Sequence, residues 1–176
     1  MSKMREALAE VIRLGGQVET EDRKVVEIYL DGERTTDAII EALTAIHSIR
    51  DLHLPKSSIT DAGLEHLSSF PNLEELSLNF TGITDNGLAH LAKIQNLKAL
   101  GLSKTNITDN GLPYLSSITS LITLNIANTS VSDSGLPHLK PLTRLRRLNV
   151  RRTEITHQGS EELQAALPHL KIAGLD

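Results

Sequence analysis

The sequence predicts an α/β fold coiled into a solenoid, with a parallel sheet along one face and short helices along the other. Three observations lead there. Residues 73–96 are rewritten at a fixed spacing, because segments beginning at Ile49, Leu97, Leu121 and Leu145 fall into the same frame, 24 residues apart. A period in this range marks a repeat architecture. Counting each unit from its first residue, apolar side chains recur at positions 1, 4, 6, 11, 16, 19 and 22, with Thr or Ser at 9, Asp usually at 13 and Gly at 15. Within the unit the periodicity changes: Glu75-Leu76-Ser77-Leu78-Asn79 alternates as a strand does, whereas residues 84–91 take helical spacing.

Taken in order, residues 3–14 read as an amphipathic helix in which Met4, Leu8, Val11 and Ile12 share a face and Gly15-Gly16 supplies a left-handed stop. A solenoid must cover its first core edge, so this helix is assigned as the N-terminal cap. Residues 17–24 form an irregular or short extended link, which closes a cap segment of residues 1–24. Residues 25–48 are a degenerate first repeat: Val25, Ile28, Leu30, Ile40 and Leu43 keep the apolar frame, but Ile39 replaces the Gly and Glu33 the position-9 hydroxyl.

In the five units that follow, positions 4 and 6 of the strand face the core, and Thr at 12 or Asp at 13 is placed to cap a helix. Pro113 and Pro137 fall at position 17, where a helix begun at 13 would need the N–H, and Pro141 ends its convex segment early. Only a short helical or 3₁₀ turn is therefore expected in the unit that starts at Leu121. The last unit, residues 145–169, has one extra residue and a longer helix over 158–167, stopped by Pro168. Residues 170–175 supply a partial last strand, so that six units and this strand make one continuous repeat domain over residues 25–176. Seven buried aliphatics per unit do not offset the entropy of ordering 24 residues, so a unit is stable only when stacked on its neighbours.

The pattern LxxLxLxxTxITDxGLxxLxxL, carried by residues 25–175, resembles the leucine-rich repeat family, and within it the subfamily with Cys at position 9 that includes F-box substrate receptors and many bacterial proteins. This chain has Ser57, Thr81, Thr105, Thr129 and Thr153 at that position. A buried hydroxyl column suits loop backbone groups of neighbouring coils, which makes it structural. The resemblance implies a curved horseshoe with a concave parallel sheet, and a role in protein binding on that sheet. The single short N-terminal helix offers no F-box-like segment, so a ubiquitin-ligase adaptor is not expected.

Composition narrows the chemistry. There is no Cys, hence no disulfide framework, thiolate zinc site or cysteine nucleophile. Charged residues interrupt the N-terminal segment where a signal peptide would be apolar, and no run reaches the roughly 18–20 apolar residues of a membrane span. These features point to the cytoplasm. The net charge of −4 is divided unevenly, with −7 in residues 1–96 and +3 in residues 97–176. No enzyme motif is present: Gly159-Ser160 lacks a GxSxG frame, and the recurring Gly stands singly rather than in a phosphate loop. Neither catalytic residues nor a cofactor are expected.

His66, His90 and His138 share position 18 on successive convex turns. Such coils are too widely spaced to bring two ring nitrogens within about 2.0–2.1 Å of one metal, so no metal site is expected.

The candidate site is the outward row of strand residues, where the copies differ. At the N-terminal end it contains Tyr29, Asp51 and His53. In the centre lie Glu75, Ser77, Phe80, Lys104 and Asn125, and at the C-terminal end Arg147, Asn149, Arg151 and Arg152. The face is thus acidic at one end and arginine-rich at the other, about 24 Å away at ~4.8 Å per strand. That exceeds the ~8 Å screening length at physiological salt, so the two ends act as separate patches.

Arginine forks suit carboxylates and phosphates, which favours an acidic protein segment as partner. A solvated patch pairing locally with Glu154 and Glu161 is the alternative. Nucleic acid is disfavoured by the net acidity and the scarcity of stacking aromatics. Self-association through the opposite charges or the last strand, and service as the recognition arm of a larger receptor or enzyme, are the rival functions.

Overall fold

A computed structural model of the chain describes residues 2–175. Its sheet has eight strands in chain order: β1 (Gln17–Glu21), β2 (Lys24–Tyr29), β3 (Asp51–His53), β4 (Glu75–Ser77), β5 (Ala99–Gly101), β6 (Thr123–Asn125), β7 (Arg147–Asn149) and β8 (Lys171–Ala173). From β2 onward every pairing is parallel and in register, so position 3 of each coil lies beside position 3 of the next. We number the coils 1 to 6 from their starts at residues 25, 49, 73, 97, 121 and 145. Beyond β2, each strand spans positions 3–5, shorter than the alternation suggests.

The apolar frame forms one continuous core. In coil 3, for example, Leu73, Leu76, Leu78, Ile83, Leu88, Leu91 and Ile94 are all buried. In coil 6 the frame is incomplete: Ser160 is buried where other coils have Leu or Ile, and its hydroxyl donates to the His157 carbonyl.

The cap differs from the sequence expectation in two ways. Residues 17–24 are not a link: β1 pairs antiparallel with β2 through a two-residue turn, Asp22-Arg23, with both residues left-handed. This is the geometry that a tight hairpin requires. Helix α1 (Lys3–Arg13) buries Ala7 and Val11, with Leu8 partly covered, while Met4 and Ile12 face outward, Ile12 being 68% exposed.

The convex segments grade between helix types. α2 (Asp37–Leu43), α3 (Asp85–Leu91) and α5 (His157–Ala166) are α-helical. Coil 2 has a 3₁₀ helix, Gly63–Ser69, and coil 5 has another, Asp133–Leu139, with Pro137 inside it. In coil 4, a 3₁₀ turn at Asp109–Gly111 leads into the one-turn helix α4 (Leu112–Leu115), which tolerates Pro113 in its first turn.

A hydrogen-bond ladder along the convex edge joins the coils. The carboxylates of Asp37, Asp61, Asp85, Asp109 and Asp133 do not cap their own helices. Each accepts from the next coil, at 2.8–2.9 Å from the backbone N–H of Thr60, Thr84, Thr108, Ser132 or Thr156 and at 2.5–2.7 Å from its hydroxyl. The same hydroxyls in turn accept an N–H of the convex turn that they begin. This arrangement explains the recurring glycine. A Cβ at Gly63, Gly87, Gly111, Gly135 or Gly159 would overlap the Asp of the preceding coil. Coil 1 has no preceding Asp, and there Ile39 is accommodated and buried.

The position-9 hydroxyls work within a coil, not between coils as expected. Ser57, Thr81, Thr105, Thr129 and Thr153 each donate to the carbonyl three residues earlier. In coil 1, where Glu33 holds position 9, buried Thr35 donates to the Asp31 carbonyl.

Candidate functional site

The register places the variable residues in two rows on the concave sheet. The first runs Glu27, Asp51, Glu75, Ala99, Thr123, Arg147, Lys171, and the second Tyr29, His53, Ser77, Gly101, Asn125, Asn149, Ala173. Three carboxylates thus lie side by side at one end and two cations at the other.

At the acidic end, His53 Nε2 lies 3.5 Å from Glu27 Oε1, and its ring centroid is 6.2 Å from that of Tyr29. Burial pushes the Asp51 carboxyl above its ordinary pKa, and Glu74 pushes the same way, against Arg50, His53 and Lys98.

The centre is hollow because its side chains are small. Ala99 and Gly101 form the floor of a depression of about 270 Å³, walled by His53, Glu75, Ser77, Asn79, Thr123 and Asn125. Asn79 is fixed in place: it donates to the Ser77 hydroxyl and accepts from the Ser103 N–H. A Cβ at Gly101 would overlap it. Two candidate residues are engaged with backbone: Asn125 accepts from the N–H of Ala127, and Asn149 from that of Arg151.

At the basic end, Arg147 donates from Nε to the Thr123 hydroxyl, and Arg146 donates to the carbonyls of Thr143 and Leu145. No ion pair involves Arg144, Arg146, Arg147, Arg151 or Arg152 among the described residues. Pairing with Glu154 and Glu161 therefore does not occur.

The rim beyond the strands has its own geometry. Position 8 is left-handed in every coil: Gly32, Lys56, Phe80, Lys104, Asn128 and Arg152 have φ between 55° and 90°. From Gly32 to Asn128, each N–H donates to the position-7 carbonyl of the next coil, which fixes the row to the sheet. Lys104 Nζ stands 5.4 Å from the centroid of the Phe80 ring. A hollow of about 600 Å³ opens there, lined by Gly32, Glu33, Lys56, Phe80, Thr81 and Lys104. Lys56 was not among the candidates from sequence, and its signal is the column it shares with Phe80 and Lys104.

No group of three or more His, Asp or Glu side chains able to hold a metal ion occurs among the described residues. His66 and His90 are half-buried and His138 exposed, separately along the convex face. Among the described residues, no helix is long and apolar enough to cross a membrane.

The family model described as "Leucine Rich repeat" matches residues 71–92 and 93–116, which cover most of coils 3 and 4. The fold is a leucine-rich repeat solenoid. The chain is similar in structure to an internalin (inlF) from Listeria monocytogenes, with a TM-score of 0.66 and 21% identity over 97% of this chain and 54% of that one. It is also similar to an internalin C2 of the same organism, with a TM-score of 0.61 and 23% identity over 96% of this chain and 81% of that one. The chain thus spans about half the length of the first of these structures. No curated protein sequence matches it.

Proposed function

We propose that this chain is a non-enzymatic recognition module that holds a protein partner against the concave sheet, with Arg147, Arg151 and Arg152 as its electrostatic anchor. The observation that carries this reading is the group of arginines between Arg144 and Arg152 without a carboxylate partner among the described residues. Such an exposed cluster costs self-repulsion and is relieved by an acidic partner. The hollow over Ala99 and Gly101 gives such a partner room to approach the backbone. Thr and Ser at position 9 stand where the cysteine-containing subfamily has its Cys, and we retain that subfamily as part of this reading.

The test is affinity capture from native cell extract. Arg147→Glu combined with Arg151→Glu abolishes capture of the partner and leaves the thermal unfolding midpoint unchanged. Undiminished capture by the charge-reversed protein removes the anchor from the account.

One observation favours a second reading, self-association. Among the described residues β8 pairs only with β7, so its outer edge is open, and the acidic and basic ends of one molecule complement each other. Sedimentation across a salt series separates the readings, since a monomer at every salt concentration excludes the charge-driven association. The partial coverage of the longer internalin also fits a recognition arm within a larger protein.

A further inference from the structure

We propose that the left-handed rim row of Lys56, Phe80 and Lys104, continued by Arg152, binds an extended acidic protein segment that seats an apolar side chain on Phe80. This builds on the protein-binding reading but not on the Arg147 and Arg151 anchor.

The reasoning starts from the backbone. Every coil needs a left-handed residue at position 8. Gly adopts that conformation freely and Asn at small cost, whereas in other L-residues the Cβ crowds the following carbonyl oxygen. Coils 1 and 5 use Gly32 and Asn128. Coils 2, 3, 4 and 6 use Lys, Phe, Lys and Arg, which make no ion pair among the described residues, and the contact of Lys104 with the Phe80 ring is exposed and weak.

Phe80 is 47% exposed, so burial does not offset the cost. None of Lys56, Lys104 and Arg152 forms an ion pair among the described residues. Strained residues with little structural return cluster where function needs them.

The row also dictates what fits. From Lys56 to Arg152 it has three cations, one aromatic ring and one Asn, with no carboxylate, whereas exposed Glu33 bounds it beyond Gly32. Four coil steps of ~4.8 Å give a track of about 19 Å, the span of roughly six residues of extended chain at ~3.3 Å each. Carboxylates of such a segment meet Lys56 and Lys104, and an apolar residue between them lies on Phe80. Lys104 already stands over that ring, so a carboxylate drawn to it brings the segment onto the aromatic surface.

The experiment exploits the strain. In the Lys56→Gly, Phe80→Gly, Lys104→Gly triple variant, the backbone is better satisfied while the side chains are lost. Fluorescence anisotropy is read with three labelled eight-residue peptides: Glu residues flanking a central Leu, the same with Gln for Glu, and the same with Ser for Leu. The acidic Leu peptide binds the wild type about tenfold more tightly than the Gln peptide and several-fold more tightly than the Ser peptide, and added salt weakens it. The glycine variant loses this binding while its denaturation midpoint rises.

Equal affinity for the Glu and Gln peptides, affinity unchanged in the glycine variant, or no binding of the acidic Leu peptide at about 1 mM overturns the proposal. Wild-type self-association that the glycine variant abolishes, without peptide binding, overturns it in favour of a second copy of this chain. The anchor is judged on a different variant and ligand, so either idea can fail alone.

Discussion

Along the convex edge, Asp61, Asp85 and Asp109 hold the same place and make the same two hydrogen bonds, whereas along the rim Lys56, Phe80, Lys104 and Asn128 share a left-handed backbone and little else. In the first region the residue type repeats because neighbouring coils interlock through it. In the second the geometry repeats and the residue type is free to vary. Constancy across copies therefore reports packing, and variation at a constant, costly backbone state reports something other than packing.

The largest expected effect breaks the interlock. Gly111→Ala places a Cβ against Asp85 and destabilises the chain by about 2–4 kcal/mol in urea denaturation. Gly82→Ala, whose Cβ meets nothing within 4 Å, changes stability by less than about 0.5 kcal/mol.

Next in size, Asp85→Ala removes the acceptor for the N–H and hydroxyl of Thr108 and costs about 1.5–3 kcal/mol. The two changes combined cost less than their sum, because the added methyl fills space that the carboxylate has vacated. Strict additivity in the double-mutant cycle would deny that the glycine exists for the aspartate.

The smallest effect tests a row with no such interlock. The Asp51 carboxyl has a raised folded-state pKa, so the folded state binds its proton more tightly than the unfolded chain does. Its contribution to stability therefore falls as pH rises from the ordinary carboxylate range through the raised value, and remains unfavourable above it. Asp51→Asn raises the melting temperature at pH 7 by roughly 1–2 °C. The gain shrinks as the pH falls through the raised value, below which the wild-type carboxyl is protonated as well.

The coil frame was legible because seven apolar positions and one glycine recur at a fixed spacing, and all seven are buried in coil 3. The role of Asp at position 13 was not. A residue at a helix start reads as a local cap, and nothing in one unit says that its carboxylate reaches the next. The β1 strand escaped notice because Gln17, Glu19, Thr20 and Glu21 are polar and exposed, so only the Asp22-Arg23 turn could have signalled a hairpin, and Arg is a weak turn residue.

On the concave face, the charge gradient followed directly from the column assignments. The left-handed rim did not, since Lys, Phe and Arg argue against that conformation and only Gly32 and Asn128 hint at it. Spacing assigns Asn125 and Asn149 to the outward row, but their bonds to nearby N–H groups depend on rotamers that spacing does not specify.

The convex ladder also has a direction. Each carboxylate points forward, each glycine makes room backward, and coil 1 has only the first half of the device while coil 6, with His157 and Gly159, has only the second. Interior coils are consequently interchangeable parts. Excising residues 97–120 would bring Asp85 against Ser132 and Gly135, a junction with the same chemistry as the one removed. Coil 1 placed in the interior would instead set Ile39 against a carboxylate. Along this edge the array can shorten or lengthen by whole coils without a new joint, although on the concave face the loss of Gly101 would set Asn125 against Asn79, and each such step would move the acidic and basic ends one strand spacing closer together or farther apart.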